Sequence, residues 1–116
     1  MRLVQEGLPV ESVNLLKEKG LTFTEIAQIV IAPRTLKHRK ARGERLTTEE
    51  SERLVRVLRV VELAEKVFGD RSKALNWLRA PDERMENKTS LSVLGSEVGA
   101  QWITDQLGAI DEGMFT

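Results

Sequence analysis

The chain has 116 residues, 41% of them hydrophobic, and its 18 basic residues balance 18 acidic residues. It has no cysteine, no tyrosine and one histidine, no Gly-rich phosphate loop, no signal-peptide pattern, and no apolar run of the roughly 20 residues that a membrane span needs. This composition excludes disulfides and histidine-based triads or multi-histidine metal sites, so we predict a cytoplasmic protein that is not an enzyme, has no cofactor or metal, and makes no membrane contact.

The hydrophobic periodicity predicts an all-α fold with no strand. The first predicted helix runs from about Pro9 to Lys19 and ends at Gly20, because proline favours the first turn of a helix and glycine its C-terminal end. A second helix is predicted to begin with Thr24 as its N-cap and to end before Pro33, where the chain must turn.

The third predicted helix, Arg34 to Ala41, carries one strongly apolar side chain, Leu36, which anchors it while the rest face outward. Positions 33–45 hold six basic residues and one acidic residue, whereas positions 47–116 hold nine basic and 13 acidic residues. A helix, a tight turn and a cationic helix are the layout of a DNA-reading helix-turn-helix, for which local charge matters more than the neutral total. The predicted DNA-binding residues are Thr24, Arg34, Thr35, Lys37, His38, Arg39, Lys40 and Arg42. The alternative is that the charged run is only a solvated helix face.

A long fourth helix is predicted from about Thr48 to Phe68. Thr47 is a strong N-cap with Glu50 three residues later, which is the spacing of a capping box. The apolar residues of this helix cover a wider arc than an ordinary surface helix buries. We therefore expect either a central core helix or one that also contributes a dimer contact through Val60 and Val67.

The remaining predicted elements are two shorter helices separated by a loop. Asp70 is expected to cap a helix from Arg71 to about Arg79, and Ser96 to open the last helix. The polar segment 82–89 between them is predicted to be a loop. Tryptophans at helical spacing with aliphatic residues are more often core than interface, which applies to Trp77 and Trp102.

The helix-turn-helix, with Thr35 and Arg39 in its second helix, and three segments that follow it give the chain a family resemblance. The three segments are GERLTTEESERLVRVLRVVELAEKVFGD (Gly43 to Asp70), ALNWLRAP (Ala74 to Pro81) and LSVLGSEVGAQWITDQLGAIDEGMF (Leu91 to Phe115). In this order they closely resemble the Xre/MbcA/ParS antitoxins, and the similarity covers nearly the whole chain. The resemblance implies an Xre-like helix-turn-helix domain at residues 1–62 and a small helical toxin-binding domain at residues 63–116.

Members of that family neutralise a RES-domain toxin that consumes NAD, so the resemblance implies that partner and repression of the chain's own operon. It also implies that the last helix and tail lie against the toxin near its NAD pocket. The toxin-binding residues implied in this way are Trp102, Asp111, Glu112, Gly113, Met114, Phe115 and Thr116. The alternative is that Phe115 folds back onto its own helices.

Two other functions are compatible with the sequence. One is a stand-alone helix-turn-helix transcriptional regulator whose C-terminal half dimerises or senses a ligand, and the other is an interaction adaptor that has lost DNA binding. Because one helix-turn-helix contacts only half of a palindromic operator, we also expect a homodimer within a larger toxin–antitoxin complex.

Overall fold

The computed structural model describes residues 2–113 of the chain, which form a helical fold with one small hairpin. The α-helices of this part are α1 (Arg2–Glu6), α2 (Asn14–Glu18), α3 (Phe23–Ile29), α4 (Pro33–Arg42), α5 (Thr48–Phe68), α6 (Arg71–Arg79) and α7 (Glu97–Asp111). Three 3-10 helices span Val10–Val13, Glu83–Met85 and Leu91–Val93, and strands β1 (Pro81–Asp82) and β2 (Lys88–Thr89) pair in antiparallel fashion. The predicted all-α class is confirmed, but the prediction of no strand is wrong.

The predicted first helix is wrong in its bounds. Val10–Val13 forms a 3-10 turn, and only the following α2 is α-helical. Because a 3-10 turn places residues three apart on the same side, Val10 and Val13 both reach the core, where they are 6% and 3% exposed. Gly20 ends this region as predicted, with a left-handed φ of +99°.

The helix-turn-helix consists of α3 and α4, and its first helix begins two residues earlier than predicted. Thr22, and not Thr24, is the N-cap, because its hydroxyl accepts the N–H of Glu25 while the Glu25 carboxylate accepts the N–H of Thr22. The capping box therefore lies at Thr22-x-x-Glu25. Pro33 is the first residue of α4, where a missing N–H costs nothing.

Helix α5 has the bounds that the sequence predicts and is the central core helix. Its N-cap, Thr47, forms the expected capping box with Glu50, and Gly69 ends it with a left-handed φ of 68°. Elements from both halves of the chain, α1, α2, α6 and α7, pack against it. Val60 is only 2% exposed and Val67 is half-buried, so the predicted outer apolar arc for a dimer contact is wrong at Val60.

The predicted loop 82–89 belongs to the β1–β2 hairpin, which begins one residue earlier at Pro81. Each strand has only two residues, which is too short for an alternating pattern to be recognised in the sequence. Glu86 and Asn87 adopt left-handed conformations, with φ of 57° and 65°, and these reverse the chain between the strands. The side chain of Asp82 accepts the N–H of Arg84 and starts the intervening 3-10 turn.

The buried apolar residues form one continuous cluster that includes members of α3, α5, α6 and α7. The predicted domain boundary between Glu62 and Leu63 lies inside α5, and both α6 and α7 pack against the same helix. Division of the chain into two domains at this boundary stays a prediction. In residues 2–113 no helix has the length and apolar composition required to span a membrane.

Because helices from both halves of the chain pack against α5, we expect one cooperative unfolding transition. We also expect Leu54→Ala to lower the free energy of unfolding by about 3 kcal/mol. Leu54 is 1% exposed, so its truncation leaves a cavity between packed helices. The measurement is urea denaturation followed by both tryptophan fluorescence and far-UV circular dichroism.

The matched control is Leu15→Ala, because Leu15 is 45% exposed and its truncation is expected to cost less than about 1 kcal/mol. Equal losses in the two variants, or two separate transitions, would contradict this view of α5.

Candidate functional site

The outward face of α4 is cationic. Arg34, Lys37 and His38 are exposed and lie at i, i+3 and i+4, which places them on one side of the helix, and Lys40 and Arg42 are exposed beside them. Leu36 faces the opposite way and is 6% exposed, as predicted for the single anchor. The structure therefore brings five of the predicted DNA-binding side chains to the surface of one helix.

Arg39 is the exception among the cationic residues of α4: the prediction that it faces outward is wrong, while its contact with DNA stays a prediction. Its guanidinium donates two hydrogen bonds to the carboxylate of Glu50, from Nε to Oε1 at 2.9 Å and from Nη2 to Oε2 at 3.1 Å. The side chains are 20% and 8% exposed respectively. This bidentate pair attaches α4 to the start of α5, so Arg39 helps to orient α4.

The two threonines predicted to bind DNA have different surroundings. Thr24 is exposed in the first turn of α3, whereas Thr35 is half-buried in the first turn of α4. Thr24 is not a cap, so its hydroxyl has no capping role in α3. Contact of either residue with DNA stays a prediction.

Glu50 carries out two structural tasks at once. Oε1 accepts the N–H of Thr47 at 2.7 Å and closes the capping box of α5, while both carboxylate oxygens hold Arg39. Burial alone would raise the pKa of Glu50, but the hydrogen bonds from Arg39 and Thr47 outweigh it and lower the pKa below its ordinary value. Folding therefore favours the ionised form of this carboxyl group.

Glu25 is a second capping glutamate that also binds an arginine of another helix. The sequence analysis did not predict this pair. Arg79 of α6 donates to Glu25 from Nε at 2.7 Å and from Nη2 at 2.8 Å, while Glu25 also caps α3. The hydrogen bond from Arg79 lowers the pKa of Glu25, and the Thr22 N–H acts in the same direction. Nη2 of Arg79 also donates to the Gly20 carbonyl at 3.0 Å. The Thr22-x-x-Glu25 spacing was the available signal for the cap, but nothing in the sequence indicated the partner.

The exposed side of α7 combines apolar and acidic groups. Val98 is 82% exposed, and Trp102, one turn later, is half-buried against the core with the Arg84 guanidinium 5.2 Å from its ring centroid. Both predicted core tryptophans thus pack on the core without being enclosed by it, and Trp77 lies 5.8 Å from Phe68 between ring centroids. Ser96 caps α7 as predicted, since its hydroxyl accepts the Gly99 N–H.

The C-terminal end of the described chain is acidic. Positions 97–113 hold four acidic residues and no basic residue. Asp111, Glu112 and Gly113 are exposed at the end of α7, while Met114, Phe115 and Thr116 lie outside the described residues. Among residues 2–113 there is no group of three or more His, Cys, Asp or Glu side chains placed to hold a metal ion.

We expect Glu50→Gln to lower the free energy of unfolding by about 2 kcal/mol at pH 7. Glutamine still completes a capping box, so the variant removes the charge that holds Arg39 while it leaves the cap of α5 in place. Because the folded pKa is below the unfolded value of about 4.3, the contribution is full above that pH and declines as the pH falls through the folded pKa.

The measurement is urea denaturation from pH 7 to pH 2.5 for the wild type and for the Gln variant. The difference between the two chains should shrink in acid. The matched control is Glu49→Gln, because Glu49 is exposed in the same turn. A difference that stays constant down to pH 2.5 would show that the charge of Glu50 does not stabilise the fold.

Comparison with known proteins gives two adjoining family matches. Residues 1–59 match the Antitoxin Xre-like helix-turn-helix domain, and residues 63–113 match the Antitoxin Xre/MbcA/ParS C-terminal toxin-binding domain. The helix-turn-helix that the structure builds from α3 and α4 lies in the first match, and α6 and α7 lie in the second.

Individual curated proteins are also similar to the chain. An Antitoxin Xre of Pseudomonas putida is 34% identical over 95% of this chain and 69% of its own length. An Antitoxin Xre of Yersinia enterocolitica is 36% identical over 74% of this chain and 59% of its own length.

The fold is similar to a chain in the crystal structure of the M. tuberculosis MbcT-MbcA toxin-antitoxin complex, with a TM-score of 0.67, 25% identity and coverage of 92% of this chain and 96% of that one. Two family models together span most of the chain, and a curated relative is 34% identical over 95% of it. The chain belongs to the Xre/MbcA/ParS antitoxin family.

Proposed function

We propose that the chain neutralises a RES-domain, NAD-consuming toxin and represses its own operon by binding operator DNA. The observation that carries the proposal is the pairing of a cationic reading helix, α4, with an acidic and partly apolar helix, α7, on one continuous core. The C-terminal family match and the similarity to a chain of a toxin–antitoxin complex support the toxin arm. The proposed role requires no catalytic activity.

The DNA-binding part of the proposal rests on two sets of side chains in α4, one that faces solvent and one that attaches the helix to the rest of the protein. Arg34, Lys37 and His38 form the face that is free to enter a major groove, with Lys40 and Arg42 beside it to approach phosphates. An exposed arginine on that face can form two hydrogen bonds with a guanine edge. Arg39 supports this reading indirectly because it fixes the helix that carries the others.

The toxin-binding arm rests on the chemistry of α7 and the residues after it. Val98 and Trp102 provide an apolar contact, and the acidic surroundings complement the basic groups with which an enzyme binds the phosphates of a dinucleotide. We propose that Trp102, Asp111, Glu112 and Gly113 contact the toxin, together with Met114, Phe115 and Thr116. Both the residues of this contact and self-association of the chain as a dimer are part of the proposal.

Replacing Arg34 and Lys37 by alanine is expected to weaken operator binding at least about 30-fold, because two contacts of about 1–3 kcal/mol each are lost. Both side chains are exposed, so the free energy of unfolding should stay within about 0.5 kcal/mol of the wild type. The assay is a gel shift at fixed salt with the DNA immediately upstream of the chain's own reading frame.

The matched control is Lys66→Ala with Lys88→Ala, which removes two positive charges from exposed positions outside α4. If the control weakens binding as much as the α4 variant does, attraction is only a matter of total charge and α4 does not read the operator.

Deleting residues 111–116 is expected to abolish protection against the toxin while operator binding and helicity are retained. The deletion removes the last residue of α7 and the acidic tail without touching the buried cluster. The assay is cellular NAD after co-expression with the protein encoded by the adjoining reading frame. Undiminished protection by the truncated chain would place the inhibitory contact elsewhere.

The apolar part of the proposed α7 contact can be tested with one substitution at Val98 and a control substitution at another exposed apolar residue. Val98→Asp is expected to weaken co-purification of the toxin at least 10-fold, because it puts a charge where an apolar contact is proposed. Phe23→Asp changes another exposed apolar residue, 54% exposed at the start of α3, and is expected to leave the toxin bound. Equal effects of the two substitutions would contradict the α7 surface.

A further inference from the structure

The side chain of Arg84 joins the β1–β2 hairpin to α7. Nη1 of Arg84 donates to the side-chain carbonyl of Gln106 at 3.0 Å, and its guanidinium carbon lies over the Trp102 ring, 5.2 Å from the centroid. Gln106 comes one turn after Trp102, so the two residues lie on the same face of α7. Arg84 therefore covers part of that face from outside the helix.

The hairpin fixes Arg84 from the other side. Asp82 accepts hydrogen bonds from Nε of Arg84 at 3.1 Å and from Nη2 at 2.8 Å, and it also accepts the backbone N–H of Arg84 at 2.9 Å. The N–H of Asn87 donates to the Asp82 carbonyl at 2.9 Å, and Met85 packs against the core. The guanidinium is thus held at both of its edges before any partner binds.

Fold stability alone does not account for the order of this side chain. The Arg84 side chain is 55% exposed, and an exposed ion pair adds little stability, because the entropy lost by fixing two side chains offsets the attraction. Binding gains more, since a side chain that is already ordered loses less freedom when a partner contacts it. Tryptophan and arginine are also the residues that most often dominate the energy of protein interfaces. The Arg84–Trp102 pair therefore has the properties of a binding surface.

The pair adjoins the surface that is proposed above to bind the toxin. Trp102 lines a shallow depression on α7 together with Val98 and Asp105. The hairpin also lies within residues 63–113, which match the C-terminal toxin-binding domain. The toxin contact proposed above includes Trp102 but no residue of the hairpin.

We propose that the hairpin belongs to the toxin-binding surface and that Arg84 is a positioning residue, which holds the Trp102 indole in the orientation that the toxin contacts. The inference rests on the proposed function, whose toxin contact includes Trp102. Without Arg84 the indole is free to adopt other rotamers, and the toxin has to order it on binding. Arg84 thus affects toxin affinity through Trp102.

The first test measures the affinity of each variant for the purified protein that the adjoining reading frame encodes. Arg84→Ala is expected to weaken binding about 10-fold, because the ring at the contact is no longer ordered in advance. Arg84→Lys should weaken binding to a similar extent, since lysine keeps the charge but cannot form the bidentate contact with Asp82 or lie flat on the ring. Wild-type affinity in either variant overturns the proposal.

A double substitution tests whether Arg84 acts through Trp102. Trp102→Leu keeps an apolar side chain against the core but removes the ring. In the Trp102→Leu chain, Arg84→Ala should cause less than about 2-fold further loss of affinity. Losses that multiply in the double variant would mean that Arg84 contributes to binding independently of the ring, and that result overturns the positioning role.

The matched control is Arg71→Ala. The Arg71 side chain is 49% exposed and also forms an ion pair, but its contacts are with Glu65 of α5 and with the Glu18 carbonyl. Its toxin affinity should stay within about 2-fold of the wild type. A loss equal to that of Arg84→Ala would show that the effect is not specific to the hairpin, which counts against the proposal.

Acrylamide quenching of the free chain separates this inference from the proposed function. In a Trp77→Phe background, Trp102 is the only tryptophan. Quenching of its fluorescence should increase about 2-fold in Arg84→Ala, because the guanidinium no longer covers the ring, and should not change in Arg71→Ala. Unchanged quenching in Arg84→Ala overturns this inference alone, as does a loss of affinity in Trp102→Leu with none in Arg84→Ala. A chain that does not bind the protein of the adjoining reading frame overturns both proposals.

Discussion

Two capping carboxylates fix the positions of neighbouring helices relative to each other. Glu25 and Glu50 each close the first turn of their own helix and each accept two hydrogen bonds from an arginine on another helix. The first pair joins α3 to α6 and the second joins α5 to α4. A carboxylate that is already fixed by its own helix loses little further freedom when it binds the arginine, which makes the angle between two helices depend on one bidentate contact.

Helix α5 turns these local links into a single structure. Its buried residues contact elements from the beginning and the end of the chain, and two of its half-buried arginines donate to backbone carbonyls of the turn after α3 and of Gly95. The two family matches meet near the middle of this helix, so the parts that are separate in sequence comparison share one core in space. The two parts are therefore joined by the shared core and by side-chain hydrogen bonds to the backbone.

The sequence predicted the elements whose signals are local. The capping box and length of α5, the Asp70 cap of α6 and the Ser96 cap of α7 depend on residues within one turn, and the structure contains all three. The predicted cap at Thr24 is wrong, although the Thr22-x-x-Glu25 spacing is also a local signal.

The surface of the candidate site was harder to predict because it depends on tertiary contacts. In the sequence, Arg39 cannot be distinguished from the five other basic residues of its segment. Only the structure shows that it binds Glu50, 11 residues away. Arg79 and Glu25 are 54 residues apart in the sequence, and hydrophobic periodicity cannot predict a contact between them. The two-residue strands of the hairpin are below the length at which alternation becomes visible.

The separation of roles along α4 has a consequence for how related antitoxins diverge. Leu36 and Arg39 hold the helix, whereas Arg34, Lys37 and His38 stand on the solvent side and contribute little to folding. Substitutions on the solvent side can therefore accumulate without loss of stability, and if α4 reads the operator as proposed, related chains can acquire distinct operators while they keep the same scaffold. Under the DNA-binding role proposed above, a change of operator would then require substitutions on this solvent side of α4 and no refolding of the antitoxin.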